Sequence, residues 1–315
     1  MAQTLTKKLV LSQPWIAGLA ALALMAPDGG MGAEPSSMTE LPANADQPSA
    51  VHVAKESERL NEEAPVGPYQ QPEWTTQRRF PTTRVYLQQQ PWDVGVEQWV
   101  KSQFPRGQAP NYLFQEEVEL GLPHRFQFDM YENWIRDTTG KVQHDSISTE
   151  LRWALADWGK IPLNPTIYAE WTFRDRTLGA DRYELKLLFG EEIAPRWHWG
   201  LNLIYEQEVG ASRTTEYGVS QGISYTVIDG KFSVGFEMKL ESETVDGNRS
   251  PAPIEADIGP SLQWRPTHNI HVDLVPLFGV TEDSPRIEAW LVVGFDFGPG
   301  GERKQPQAPV STRSR

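Results

Sequence analysis

The chain has no cysteine among its 315 residues. Disulfides, thiolate metal centres, a cysteine nucleophile and a lipidated N-terminal cysteine are therefore excluded. No apolar run approaches the roughly eighteen residues that a membrane helix requires, and mean hydropathy is −0.50. Basic residues are scarce beside acidic ones, 29 Lys and Arg against 42 Asp and Glu, a formal charge of −13. That balance argues against a nucleic-acid binder. There is no Gly-rich phosphate loop, zinc-finger spacing or coiled-coil heptad, so no cofactor is expected.

What the chain does have, from Trp92 to Phe297, is an apolar–polar alternation repeated about a dozen times, each run about ten residues long and closed by a turn. Phe232, Val234, Phe236, Met238 and Leu240 fall on one face, and Ser233, Gly235, Glu237, Lys239 and Glu241 on the other. Alternate strand residues point to opposite sides of a sheet, so each run has one oily and one wet face. Only alternate residues of a barrel strand need be apolar, which reconciles low mean hydropathy with a membrane location. The expected fold is all-β, a twelve-stranded antiparallel transmembrane β-barrel with a largely disordered N-terminal arm. The candidate strands are 92–103, 112–120, 124–136, 143–156, 165–175, 181–190, 196–208, 214–226, 231–243, 254–265, 269–280 and 285–297.

Turns and aromatics agree with that count. Links on one side are short and turn-like, such as Leu122-Pro123-His124 and Ile228-Asp229-Gly230, whereas those on the other are mostly longer and polar. One rim collects Phe126, Trp197, Tyr225, Phe232, Trp264 and Phe295, the other Phe114, Trp134, Phe173, Tyr183, Tyr205 and Tyr217. Two aromatic belts around an aliphatic band mark a membrane interface.

Four segments are expected. Residues 1–33 read as a secretory signal peptide, with Lys7 and Lys8 before the apolar 15–26. Residues 34–90 are rich in Pro, Glu and Gln and read as a disordered periplasmic arm. Trp74, Arg78, Arg79, Phe80 and the β-prone 82–87 raise the option that part of the arm plugs the barrel mouth, but a tether is the expectation. Residues 91–298 form the barrel, and 299–315 a disordered tail.

Parity assigns the lumen. Glu117, Glu119, Asp129, Glu150, Arg152 and Glu170 point inward, as do Glu184, Lys186, Glu206, Glu237 and Lys239. Glu255, Asp257, Asp273 and Glu288 complete the set of expected lining residues, and the same parity turns Arg125 inward. Acid exceeds base on this face, which favours cations in a wet bore. Glu–Arg ladders filling a narrow lumen fit the same residues, so open pore and closed polar core both stand. Glu116 and Gln221 break the rule by occupying apolar-parity sites; a β-bulge would re-aim one of them, and otherwise the expected register is wrong there.

Catalytic and metal chemistry find little support. His144 and Ser146 share a strand face that Asp145 does not, and the trio reads as loop polarity. His124, His198, His268 and His271 map to one end of the barrel but lie on different turns and strands, so no metal site is assigned.

The chain ends its alternation at Trp290–Phe297, with Gly294 among apolar and aromatic Val293, Phe295 and Phe297. This strand is similar to the C-terminal signal read by barrel-assembly machinery, although the polar tail 298–315 follows it. On pattern, turn alternation and this strand, residues 92–297 resemble bacterial outer-membrane transporter or porin-like barrels. They look most like twelve-strand families linked to uptake of small aromatic or hydrophobic compounds. The resemblance implies residence in the outer membrane of a diderm bacterium after secretion, contact with outer-membrane lipid and with the assembly machinery, and a small-molecule solute. It carries over no catalytic or ligand residue. The expected function is passive, mildly cation-preferring passage of a small solute, without enzymatic activity. The alternative is a non-conducting structural or adhesive barrel that binds a periplasmic partner through its arm.

Overall fold

The structure is a computed structural model, and it describes residues 59–137, 139–210 and 213–298. Segments 1–33, 34–58 and 299–315 lie outside the described residues, and with them the expectations of a signal peptide, the first part of the arm and the tail.

Twelve strands close into one barrel. Two short strands precede it, β1 (Pro65–Val66) and β2 (Gln71–Pro72). The barrel strands are β3 (Val94–Phe104), β4 (Asn111–Leu122), β5 (Phe126–Arg136), β6 (Val142–Ala154), β7 (Thr166–Arg174) and β8 (Arg182–Ala194). They continue as β9 (Trp197–Glu208), β10 (Thr214–Ile228), β11 (Phe232–Val245), β12 (Glu255–Thr267), β13 (Ile270–Gly279) and β14 (Ile287–Phe297). Every neighbour is antiparallel, and β14 returns to β3 in unbroken register from Ile287 opposite Phe104 to Phe297 opposite Val94. The barrel sheet has no free edge, which is how a β-structure satisfies its backbone in lipid.

The outward face is the oily one. Leu151, Leu185, Leu203, Leu274 and Leu291 are exposed although each sits mid-strand. Leaving a leucine-sized side chain in water forgoes about 1.5–3 kcal/mol, so a whole belt of them requires acyl chains. Aromatics bracket the belt. Phe126 stacks on Trp153 and Trp197 lies 5.1 Å from Tyr225 at the end that carries both barrel termini. Tyr183, Tyr205 and Tyr217 touch in series at the other end, with centroids 6.0 and 5.3 Å apart.

The terminus-side turns are short except for 155–165, and that end is periplasmic in a single-chain barrel. Three register shifts lie near it, between Thr226 and Ile228, Trp264 and Thr267, and Glu192 and Ala194. A fourth, beside Asn133 and Trp134, sits at the far end and leaves Asp145 as the extra residue.

Two sequence expectations change. Glu116 pairs in register with Gln98 and Glu132, so no bulge re-aims it, and it faces outward. Gln221 is likewise in register, opposite Leu201 and Met238 on the outward face. The Asp145 bulge separates the other pair. His144 turns out to lie 3.8 Å from Glu132, whereas Ser146 turns in and donates to Asp145 at 2.9 Å. His144 and Ser146 therefore occupy opposite faces.

Candidate functional site: a lumen filled from within

The largest departure from expectation is residues 59–90, which form not a loose arm but a plug inside the bore, with the β-prone 82–87 in no strand. Trp74, Phe80, Tyr86 and Leu87 are almost fully buried and cluster with Tyr69, Val85 and Ala154. The segment has two 3-10 turns, Asn61–Glu63 and Glu73–Thr76, and otherwise irregular backbone through 77–93. Irregular backbone at this depth is tolerated because the polar walls supply its hydrogen bonds.

The periplasmic rim holds the plug first. Asn61 donates to Asp229 from its backbone N (2.9 Å) and side chain (2.7 Å), and Glu62 N donates to the same carboxylate at 3.1 Å. The Glu62 carboxylate accepts from Arg79, Gly230 and Thr226, and Glu63 accepts from the Arg196 backbone N at 2.6 Å. Burial pushes the Glu62 carboxyl up, but Arg79 and Arg265 beside it prevail and hold it at about 2. Trp74 stacks on His198, with centroids 4.5 Å apart, and donates to Glu192 at 3.1 Å. The long turn 155–165 has a function here: Trp158 lies edge-on to both Trp74 and Tyr86.

Deeper in, the plug engages β3–β6, β8–β12 and β14. Arg78 donates to Glu97 at 2.9 Å and to Glu119 at 3.2 Å. Arg84 donates to Glu117 at 3.1 Å and to the Tyr131 hydroxyl at 3.0 Å, while its backbone N and C=O are clasped by Asn202. Thr82 donates to Glu237 from backbone and side chain, and Thr83 to Ser220 at 3.1 Å. Gln88 and Gln89 donate their backbone N–H groups to Gln127, Gln88 reaches Arg152 at 3.4 Å, and Gln89 also reaches Asp296. Gln263 donates to the Arg78 carbonyl.

Three inward glycines make room for this. Gly190, Gly200 and Gly222 are register partners on β8, β9 and β10. A Cβ at Gly222 would lie 2.5 Å from the Phe80 ring, and one at Gly190 2.2 Å from Val85.

The expected lining residues divide between plug and hollow. Glu117, Glu119, Asp129, Glu150 and Arg152 form a buried network around the plug, with Arg152 to Asp129 at 2.6 Å and Arg152 also bonded to Glu150. Asp273 lies 2.5 Å from His271, which also approaches Glu97 at 3.3 Å. Glu170, Glu184, Lys186, Glu206 and Lys239 line a cavity of about 320 Å³ above the plug, floored by Pro81, Thr82 and Arg84. Lys186 pairs with Glu184 (2.8 Å), and Lys239 with Glu288 (2.8 Å), with buried Asp257 and half-buried Glu255 on the neighbouring strand. Glu237 belongs to the plug's anchors. Arg125 lies in a turn and pairs with Asp157. Two carboxylate triplets, Glu97–Glu117–Glu119 and Glu117–Asp129–Glu150, bring oxygens within 4.8 Å of one another. Among the described residues, the guanidiniums that meet them are those of Arg78, Arg84 and Arg152.

No family model and no curated protein matches the chain. Solved structures do. The NanC porin aligns at 14% identity with a TM-score of 0.45, over 65% of this chain and 99% of that one. The KdgM porin aligns at 11% and 0.43, over 65% and 98%. The COG4313 outer membrane channel from Pseudomonas putida F1 aligns at 12% and 0.45, over 65% and 95%.

The chain is an outer-membrane β-barrel. The closed sheet, the lipid-facing belt and the paired aromatic rims carry that assignment, and with it residence in the outer membrane of a diderm bacterium. Sequence reading raised a plug only as an option for part of the arm and favoured a tether. The signal available was the row of inward glycines opposite an arginine-bearing arm.

Proposed function

We propose that this barrel is a channel for passive passage of a small cationic solute, closed at its periplasmic end by residues 59–90. In this reading it performs no catalytic step. Export is directed by residues 1–33, and the assembly machinery reads the last strand. One observation carries the proposal: the inner half of the bore is filled by a segment threaded from the terminus, while the outer half is a charged hollow of about 320 Å³. Walls meant only to be closed would be filled by their own side chains. Carboxylates predominate over cations around the hollow, which favours positive solutes.

The test uses the absence of native cysteine. A Thr83→Cys, Ser220→Cys pair places thiols where two hydroxyls now lie 3.1 Å apart. Planar-bilayer current is expected to be low when this pair is oxidised and to rise on reduction, and a chain lacking residues 59–90 is expected to conduct throughout. A correctly folded deletion variant without current would remove the channel and favour the alternative, a structural barrel that binds a periplasmic partner through the arm.

A further inference from the structure

Arg78 and Arg84 sit in surroundings that would suit a free ligand. The Arg78 guanidinium carbon lies 4.4 Å over the Trp99 ring and that of Arg84 5.5 Å from the same centroid. Glu97, Glu117 and Glu119 ring the two groups, and the Arg78 side chain is 1% exposed. An aromatic face beneath a planar cation, with carboxylates at its edge, is how guanidinium and ammonium groups are recognised. The site is preorganised by the barrel itself. Trp99 Nε1 donates to Glu97 Oε2 at 2.9 Å, which fixes the ring, and Trp99 meets Trp290 edge-on at 5.9 Å.

The charge on this wall also points to a cationic occupant. Glu97, Glu117, Glu119, Asp129 and Glu150 are all buried, yet among the described residues Arg152 is the barrel's one arginine or lysine within ion-pair distance of them, with the His271 ring 3.3 Å from Glu97. The rest of the neutralisation comes from the plug. One oxygen, Glu150 Oε2, is fully buried, accepts no hydrogen bond and has the Arg84 guanidinium at 3.7 Å. A second aromatic–cation station lies nearby: Lys101 is 4.6 Å over Trp290, and both residues line the outer hollow. A cation entering that hollow therefore meets Trp290, then Trp99, along one wall.

We propose that the wall formed by Trp99, Glu97, Glu117 and Glu119 is a binding site for the guanidinium or primary-amine group of the transported solute, filled in the closed state by Arg78 and Arg84 as internal stand-ins. The proposal rests on the channel reading and names its solute class. A solute that takes the site displaces the arginines and loosens the plug, so that binding and opening are one exchange.

The direct test titrates the detergent-solubilised full chain carrying Arg78→Ala and Arg84→Ala with arginine and with citrulline, which differ in guanidinium against neutral ureido. Arginine is expected to bind about tenfold more tightly, and adding Trp99→Leu is expected to narrow the difference. Equal affinity, or no binding, overturns the proposal. Should the double variant fail to fold, a Thr83→Cys variant of the otherwise intact chain carries a single thiol in the plug. Its modification rate is expected to rise several-fold with arginine and not with citrulline, and an unchanged rate overturns the proposal equally. Running free arginine beside a Gly-Arg-Gly peptide separates a small guanidino solute from a peptide-borne side chain. None of these readouts uses current, so a non-conducting barrel that still selects arginine would sink the channel and leave the site standing.

Discussion

Gly222 on β10 faces the ring of Phe80 in the plug so closely that a single added carbon would lie 2.5 Å from it. No real side chain tolerates that approach, so the glycine is there for the plug and not for the sheet, where glycine is disfavoured. Gly222→Ala is expected to shift the plug and destabilise it by about 1–3 kcal/mol, the usual range for overpacking. Phe80→Ala in the same chain should restore most of that loss. Protease resistance of residues 59–90 in detergent measures both. An additive response from the two substitutions would mean that the contact is not what the glycine serves.

Acid should loosen the rim anchor. Glu62 is held at about 2 against an ordinary value of 4.5 because Arg79 and Arg265 outweigh its burial. A carboxyl depressed in the folded state adds stability that is fully present above its unfolded pKa and is lost as pH falls through the folded one. The window is therefore about pH 4.5 down to 2, and its size is on the order of 3 kcal/mol. Hydrogen exchange of the plug amides should accelerate across that window in the parent chain. In Glu62→Gln the amides should already exchange fast at neutral pH, with the slope through the window reduced. An identical slope in both proteins would place the acid sensitivity elsewhere.

The barrel was legible in the sequence because strand alternation is a local signal. Each of the twelve expected strands is present, with ends displaced by at most a few residues. Phe232 to Glu241 shows why: lipid outside and charge inside impose the same period on every strand. The plug has no period to read. Between Gln77 and Asp93 much of its backbone bonding goes to wall groups distant in sequence, such as Asn202, Gln127 and Gln263. Its glutamines look like disorder until their partners are known. The Asp145 bulge was hidden for a related reason, since an inserted residue reverses facing without altering composition.

Glu116 and Glu132 are direct cross-strand partners on the lipid face, just inside the Phe114–Trp134 pair of the outer belt. Like charges placed opposite one another in a sheet repel, and carboxylates near the interface cost up to about 1 kcal/mol each in lipid. Glu132→Leu is expected to raise stability to urea in liposomes by about 1 kcal/mol. A loss of stability would indicate that His144, 3.8 Å from Glu132, makes the acid a net asset.

Cation preference should depend on the hollow and not on the plug's anchors. Glu184 and Glu216 both line the cavity, and Glu184 is held 2.8 Å from Lys186. Changing both to Gln in a chain lacking residues 59–90 leaves Lys186 without its nearest counter-charge and removes two negative charges from the ion path. The cation-to-anion permeability ratio, read from reversal potentials in a salt gradient, is expected to fall about two- to threefold and to do so most at low ionic strength, where screening is weakest. Glu237 offers the contrast, because its carboxylate accepts both bonds from Thr82 below the hollow. Glu237→Gln should barely move the ratio in the shortened chain, yet should raise open probability in the full one by weakening a plug anchor. If the paired substitution leaves the ratio unchanged while Glu237→Gln lowers it, the selective stretch lies at the plug's depth and the hollow is only a vestibule.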